Sequence, residues 1–370
     1  MADRGVRSRA ALRLAGGALT LVGGAAVGLL AERYAVGRRL RSGVGPSEAP
    51  LGSLRGTPVP CIARDGTRLS VEVDPAGRSA NWPGITAVFS HGYCNSSDAY
   101  HFQRRDLRGR VRMVYWDQRG HGRSERGEDG SLTIETLGED LHQVLNAAAP
   151  EGPLLLVGHS MGGMAIMALA AAHPEIFAER VLGVALLATS SGGEQVSLLG
   201  LPAVVGGVVQ NLSGRALATL ARTSAVVDAT RRAGSDLGLL LTRRYGFGSA
   251  VPAELVEFTA EMVDETSIGV VSGLFPALGR HDKRAALAAL HGVETVVICG
   301  ESDAITPIEA SRAIVMALPE AEFITLPKTG HMLTLERPLE VTTAIEDLLD
   351  RIARAHPEVG RTGEPPTVSQ

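Results

Sequence analysis

The apolar run Leu154-Leu155-Leu156-Val157 leads directly into Gly158-His159-Ser160-Met161-Gly162-Gly163 and then into Met164-Ala165-Ile166-Met167-Ala168-Leu169-Ala170. Consecutive branched apolar residues suit a strand buried on both faces, the environment of a parallel sheet covered by helices, and the second run favours helix. The spacing therefore predicts a strand, a tight turn and a helix, with Ser160 at the tip of the turn. A residue there takes a strained backbone conformation while neighbouring chain passes close by. Glycine at 158 and 162 removes the side chains that would collide. The Ser160 hydroxyl then lies over the first helical turn, where unpaired N–H groups and the positive end of the helix dipole favour an anion. The Met161 N–H is the natural first donor to such an anion.

Either side of this element, apolar strands alternate with helical patterns. Pro60–Ala63 and Thr67–Val73 flank Arg64-Asp65-Gly66, a turn suited to a β-hairpin and an antiparallel start to the sheet. Ile85–Ser90 reads as a strand running into His91-Gly92-Tyr93; a strand ending in His-Gly can aim the Tyr93 N–H at the pocket that holds Ser160. Val111–Trp116 is a strand followed by Asp117-Gln118-Arg119-Gly120-His121-Gly122-Arg123-Ser124, which lacks the Lys-Ser/Thr ending of a phosphate loop and reads as structural. Leu137, Leu141, Val144, Leu145 and Ala148 share one face of a helix, and Val181–Ala188 is a further strand. This alternation predicts an α/β fold with a mostly parallel, doubly wound sheet.

Between Ser190 and Gly292 the rhythm breaks. The patterns there are helical: Leu198–Val209, Ala216–Ala221, Leu237–Leu241, Ala253–Val263 and Ile268–Leu274. Structureless loops of such length are rare, so this segment is expected to be a helical cap over the pocket, with apolar residues that suggest an apolar substrate. Strands resume at Thr295–Cys299 and Ala321–Leu326; Asp303 follows the first and His331 the second, so both can reach the carboxyl edge of the sheet. The expected organisation is an N-terminal hydrophobic segment and linker over 1–56, a core over 57–190 and 293–356, the cap over 191–292 and a disordered polar tail over 357–370.

With 370 residues, 45% hydrophobic content and a net charge of -4, the chain reads as a globular enzyme with no nucleic-acid partner. Cys61, Cys94 and Cys299 have no spacing for a disulfide framework or a metal, and no cofactor-binding or metal-ligand pattern is apparent. Leu14 to Ala31 carries no charge and is flanked by arginines on both sides. A membrane anchor is the expectation, which would make the protein membrane-associated; a secretory signal peptide and a soluble surface helix are the alternatives. Oligomeric state is not legible.

Taken in order, His91-Gly92, Asp117 to Ser124, Gly158 to Gly163, Gly300-Glu301-Ser302-Asp303 with Thr306-Pro307, and Gly330-His331 resemble the motifs of α/β-hydrolase-fold serine hydrolases of the esterase and lipase kind with a cap domain. The resemblance covers about Pro60 to Ala353. It implies Ser160 as nucleophile, His331 as general base and then acid, and Asp303 as the group that orients His331. It further implies an oxyanion hole from the backbone of Tyr93 and Met161, with His91, Gly92, Gly158 and Gly162 as structural parts of the motifs. Asp264, Asp282 and Glu301 are rival acids, and His121 and His159 rival bases, none placed like Asp303 and His331. Serine rather than aspartate at 160 argues against epoxide and haloalkane chemistry. Acyl transfer to water remains, on a carboxylic ester first, with thioesterase, amidase or C–C hydrolase as alternatives. A non-catalytic ligand-binding relative is the different-class alternative.

Overall fold

The computed structural model describes residues 49–128, 130–193, 238–357 and 359, and structural statements below concern these. The described residues outside 250–254 belong to one compact unit. Strands β1 (Thr57–Pro58), β4 (Val71–Asp74), β5 (Trp82–Ser90), β6 (Val111–Trp116), β7 (Leu154–His159), β8 (Val181–Leu187), β9 (Glu294–Gly300) and β10 (Glu322–Leu326) form one eight-stranded sheet in the order β1-β4-β6-β5-β7-β8-β9-β10. From β6 to β10 every neighbouring pair is parallel. The predicted hairpin exists, but as a separate two-stranded sheet of β2 (Cys61–Ile62) and β3 (Arg68–Leu69). The antiparallel edge of the main sheet is β4, the last part of the second expected hairpin strand, paired with β6 and then with β1. Ser70, between β3 and β4, is where one predicted strand becomes two.

The period-2 alternation of the buried strands separates two cores. Leu154, Leu156, Val184, Leu186 and Val297 face one, against Leu141, Val144 and Leu145 of α2 (Ile134–Ala148) and Ile166 and Leu169 of α3 (Met161–Ala172). Leu155, Val157, Ala185, Leu187, Val296 and Ile298 face the other, against Val341, Ile345, Leu348 and Ile352 of α9 (Pro338–Ala355). The last set recurs at i, i+4, i+7 and i+11, one stripe of a helix. With both faces covered, truncating a fully buried strand leucine such as Leu155 to Ala costs about 2–5 kcal/mol.

The insertion between β8 and β9 leaves and returns at one point. Gly192 bridges to Asp282, and the Lys283 N–H donates to the Ser191 carbonyl at 2.7 Å. Residues 238–246 are helical, followed by α5 (Ala253–Glu265) and α6 (Ile268–Gly279), in line with three of the five expected cap helices; 198–209 and 216–221 lie outside the described residues. Val270, Leu274, Ala277 and Leu278 of α6 pack on Ile134 and Leu137 of α2 and on Met161 and Met164 of α3. Arg284–Leu290, a 3-10 helix, places Ala286, Leu287 and Leu290 in the first core, so core packing resumes some residues before 292. Val359 is buried in the second core against Gly84, so the tail expected from 357 keeps a foothold there; 360–370 lie outside the described residues. The segment 14–31 also lies outside them, and among the described residues no helix is long and apolar enough to cross a membrane.

Candidate active site

Because β5, β7, β9 and β10 run parallel, the chain following each emerges on the same edge of the sheet. That edge receives His91, Ser160, Asp303 and His331, four residues that are distant in sequence. Ser160 is the residue between β7 and α3 and has φ 52° and ψ −118°, a conformation that costs a non-glycine residue of order 1–3 kcal/mol. Surrounding bonds hold it there. Its N–H donates to the Leu187 carbonyl at 2.9 Å, and its carbonyl accepts from the Thr189 hydroxyl at 2.7 Å and the Gly163 N–H at 3.0 Å. A Cβ at 162 would collide with the Ser90 carbonyl, and one at 158 would sit 2.6 Å from the Gly163 nitrogen. Both glycines are therefore required by close approach.

His331 donates from Nδ1 to Asp303 Oδ2 at 2.8 Å, which leaves Nε2 as the ring's free lone pair. Asp303 is buried and accepts the N–H groups of Ile305 (2.8 Å) and Thr306 (3.0 Å) on Oδ1. Thr306 Oγ1 lies 2.8 Å from Asp303 Oδ2 and 2.8 Å from the Ala188 carbonyl, a hydroxyl shared between two acceptors. Burial pushes the Asp303 carboxyl up, but the His331 ring and the Thr306 donors outweigh it and hold the group below the usual carboxylate range. His331 is tied to the serine turn through its backbone: His159 Nε2 donates to the His331 carbonyl at 2.9 Å, with the two rings 4.9 Å apart. No described hydrogen bond joins the Ser160 hydroxyl to the His331 ring, whose Nδ1 is committed to Asp303 and Thr306. Such contacts are commonly loose before substrate binds and tighten in the complex.

The N–H groups of Tyr93 and Met161 donate to no backbone or side-chain acceptor among the described residues. Met161 is the first residue of α3, where an N–H has no partner within the helix. Tyr93 is held from the other side by its hydroxyl, which donates to the Val271 carbonyl of α6 at 2.6 Å. His91 is a buried strut. The Gln118 N–H donates to its Nε2 at 2.8 Å, so Nδ1 carries the proton and donates to the Gly92 carbonyl at 2.7 Å.

The rival groups are engaged elsewhere. Asp282 is exposed and paired with Arg284, whose hydrogen bond lowers it to about 2; Asp264 and Glu301 are exposed. His121 and His159 are buried, and desolvation first, then the neighbouring His91 and His331 respectively, pushes each down to about 3, so both are neutral near neutral pH. Cys61, Cys94 and Cys299 are buried free thiols.

Three supports take part whose roles were not read from sequence. Thr306 entered only within the motif ending Thr306-Pro307, although an Asp followed three residues later by a hydroxyl residue ahead of proline is a signal for its bond to Asp303. Thr189 carried none. Glu336 ends α8 (Leu333–Glu336), and its carboxylate accepts the N–H groups of Gly330 (2.7 Å), Ser249 (2.6 Å) and Gly248 (3.0 Å). It thereby fixes the loop that carries His331 against residues 248–249 of the insertion.

Comparison with known proteins agrees with this architecture. The acetyltransferase component of the acetoin cleaving system of Pseudomonas putida is 27% identical over 288 residues, 77% of this chain and 67% of that protein. The pimeloyl-[acyl-carrier protein] methyl ester esterase of Chromobacterium violaceum is 28% identical over 273 residues, 72% of this chain and 95% of that protein. Among solved structures, the esterase EaEST of Exiguobacterium antarcticum superposes with a TM-score of 0.62 at 19% identity, covering 80% of this chain and 99% of the esterase. The sequence profile of the alpha/beta hydrolase fold matches residues 88–338. With that match over most of its length and with hydrolases among its relatives, the chain belongs to the α/β-hydrolase family of enzymes.

Proposed function

We propose that the protein is a serine hydrolase that cleaves a carboxylic ester through an acyl-enzyme intermediate. The observation that carries this reading is the buried 2.8 Å bond from His331 Nδ1 to Asp303 Oδ2, at the same sheet edge as the strained Ser160. A serine hydroxyl is too weakly acidic to attack a carbonyl unaided near neutral pH, and an imidazole with a free Nε2 is the group that can take its proton.

In this mechanism His331 Nε2 accepts the Ser160 proton as Oγ bonds to the acyl carbon. Asp303 holds the useful tautomer and stabilises the imidazolium that forms. The carbonyl π electrons move onto oxygen, and the Met161 and Tyr93 N–H groups bind that oxyanion. When the intermediate collapses, the C–O bond to the alcohol breaks and the leaving oxygen takes the proton from Nε2. A water molecule then repeats the sequence on the acyl-enzyme, giving up a proton to Nε2 and releasing the acid and free Ser160. Each oxyanion donor contributes about 3–4 kcal/mol in sites of this kind. Hydrolysis of p-nitrophenyl butyrate by the wild type, abolished in Ser160→Ala, is the expected result; a rate unchanged by that substitution would refute the reading.

A further inference from the structure

Away from the serine turn, where α3 ends, three side chains with metal-ligand chemistry meet. Glu139 and His142 are one turn apart on α2 and so project from the same side of it. His173 caps the C-terminus of α3, its N–H donating to the Leu169 carbonyl at 2.7 Å. At 1.5 Å per helical residue the cluster lies about 20 Å from Ser160, so it is separate from the rim described above. One donor atom from each of Glu139, His142 and His173 can be chosen so that all lie within 4.8 Å of one another. The two imidazole centroids are 3.9 Å apart.

Several features go beyond proximity. His142 Nδ1 is buried without a hydrogen-bond partner, an expense that a ligand would relieve. His173 lies between two carboxylates, Nε2 3.1 Å from Glu139 Oε1 and Nδ1 3.1 Å from Glu175 Oε1. A metal-bound histidine characteristically donates its other ring N–H to a carboxylate, which fixes its orientation, and Glu175 is placed to receive that bond. The 3.1 Å between Glu139 Oε1 and His173 Nε2 is close to the roughly 3.3 Å that separates neighbouring ligands around a tetrahedral ion at 2.0–2.1 Å. Arg64 stands 3.0 Å from the other Glu139 oxygen, leaving Oε1 for the ion. His142 and His173 are 31 positions apart, so no sequence spacing announced the pair.

We propose that Glu139, His142 and His173 form a binding site for a divalent transition-metal ion, Zn2+ being the ion that two imidazoles and a carboxylate suit well, with water in the fourth position. The ion replaces the proton that His173 Nε2 otherwise shares with Glu139, and it clamps α2 to the end of α3. Its role is structural: nothing in it reaches the serine rim.

The test uses full-length, untagged protein stripped of metal, titrated with Zn2+ by calorimetry and with Co2+ by visible absorption. The site predicts one equivalent bound with a Kd of micromolar or tighter, a Co2+ d–d band, and a Zn2+-dependent rise in Tm. His142→Ala and His173→Ala should each weaken binding by at least tenfold and abolish the Tm rise. His142→Gln, which keeps size and polarity, provides the same reading if an alanine variant fails to fold. Absence of stoichiometric Zn2+ binding below about 100 µM would overturn the proposal, as would binding and a Tm response that survive both histidine substitutions.

Discussion

The loop from Asp117 to Ser124 and the rim of Ser160, Asp303 and His331 contain the same three residue types, an aspartate, a histidine and a serine, and both are buried in large part. Their wiring differs. Asp117 accepts the Ser97 N–H at 2.8 Å and the Arg123 N–H and Nε at 3.0 and 3.1 Å, so its partner is a permanently charged guanidinium. The Ser124 hydroxyl is occupied on both sides, accepting from Ser70 and donating to the Asp117 carbonyl. Asp303 instead pairs with an imidazole, which can gain and lose a proton, and it has no arginine or lysine partner among the described residues. Beside it the Ser160 hydroxyl and two backbone N–H groups have no hydrogen-bond partner among the described residues. An aspartate paired with a permanent charge can only hold chain together; one that orients an imidazole with a free ring nitrogen beside a serine can react.

That contrast is open to attack at several strengths. The largest effect is expected at the rim. Ser160→Ala or His331→Ala should lower kcat for an active ester by about 10⁵–10⁶-fold while far-UV circular dichroism and Tm remain close to wild type. Asp303→Asn should cost about 10⁴-fold in kcat, because the amide favours the wrong imidazole tautomer. Asp117→Asn, by contrast, should leave kcat within about tenfold and lower unfolding stability instead. Its loss of charge leaves Arg123 unpaired on one side, worth about 2–3 kcal/mol in a denaturant titration.

Acid pH probes the burial of both regions. His121 has its pKa pushed down to about 3 by burial and by His91, so between the ordinary imidazole value near 6.5 and about 3 the unfolded chain binds a proton that the folded chain refuses. Stability therefore falls as pH drops through that window, and His121→Gln should remove up to about 1.4 kcal/mol of loss per pH unit. For Asp117 and Asp303 burial opposes ionisation but the charged and hydrogen-bonding partners prevail, so both carboxyls are held below their usual range. Their stabilisation is present above about pH 3.9 and disappears as pH falls through the lowered values. Urea titrations from pH 7 to 3 would show both limbs. The smallest effect is expected at the surface pair of Arg68 and Glu125, where Arg68→Ala should change stability by less than about 1 kcal/mol.

Much of the fold was legible because it rests on short-range patterns. The buried run at Leu154, the helical stripe from Leu137 to Ala148 and the strand at Val111–Trp116 appear within a residue or three of their expected bounds. The positions of Ser160, Asp303 and His331 were readable for a related reason: in a parallel sheet, whatever follows a strand arrives at one edge. What was illegible depends on long-range contacts. No local pattern says that Ser70 divides a strand between two sheets, that Glu336 collects three N–H groups from two loops, or that Thr189 holds the Ser160 carbonyl. The return of the insertion is likewise fixed by pairing of Asp282 with Gly192 and of Lys283 with Ser191, partners 90 and 92 residues apart in the chain.

The central claim is that Ser160 is made nucleophilic by His331. Labelling with a fluorophosphonate, followed by intact mass and peptide mapping, tests it most directly. The account predicts one covalent adduct per chain, on Ser160, formed at least a thousandfold more slowly in His331→Ala. Labelling at another residue, or labelling of Ser160 at an undiminished rate without the imidazole, would contradict it.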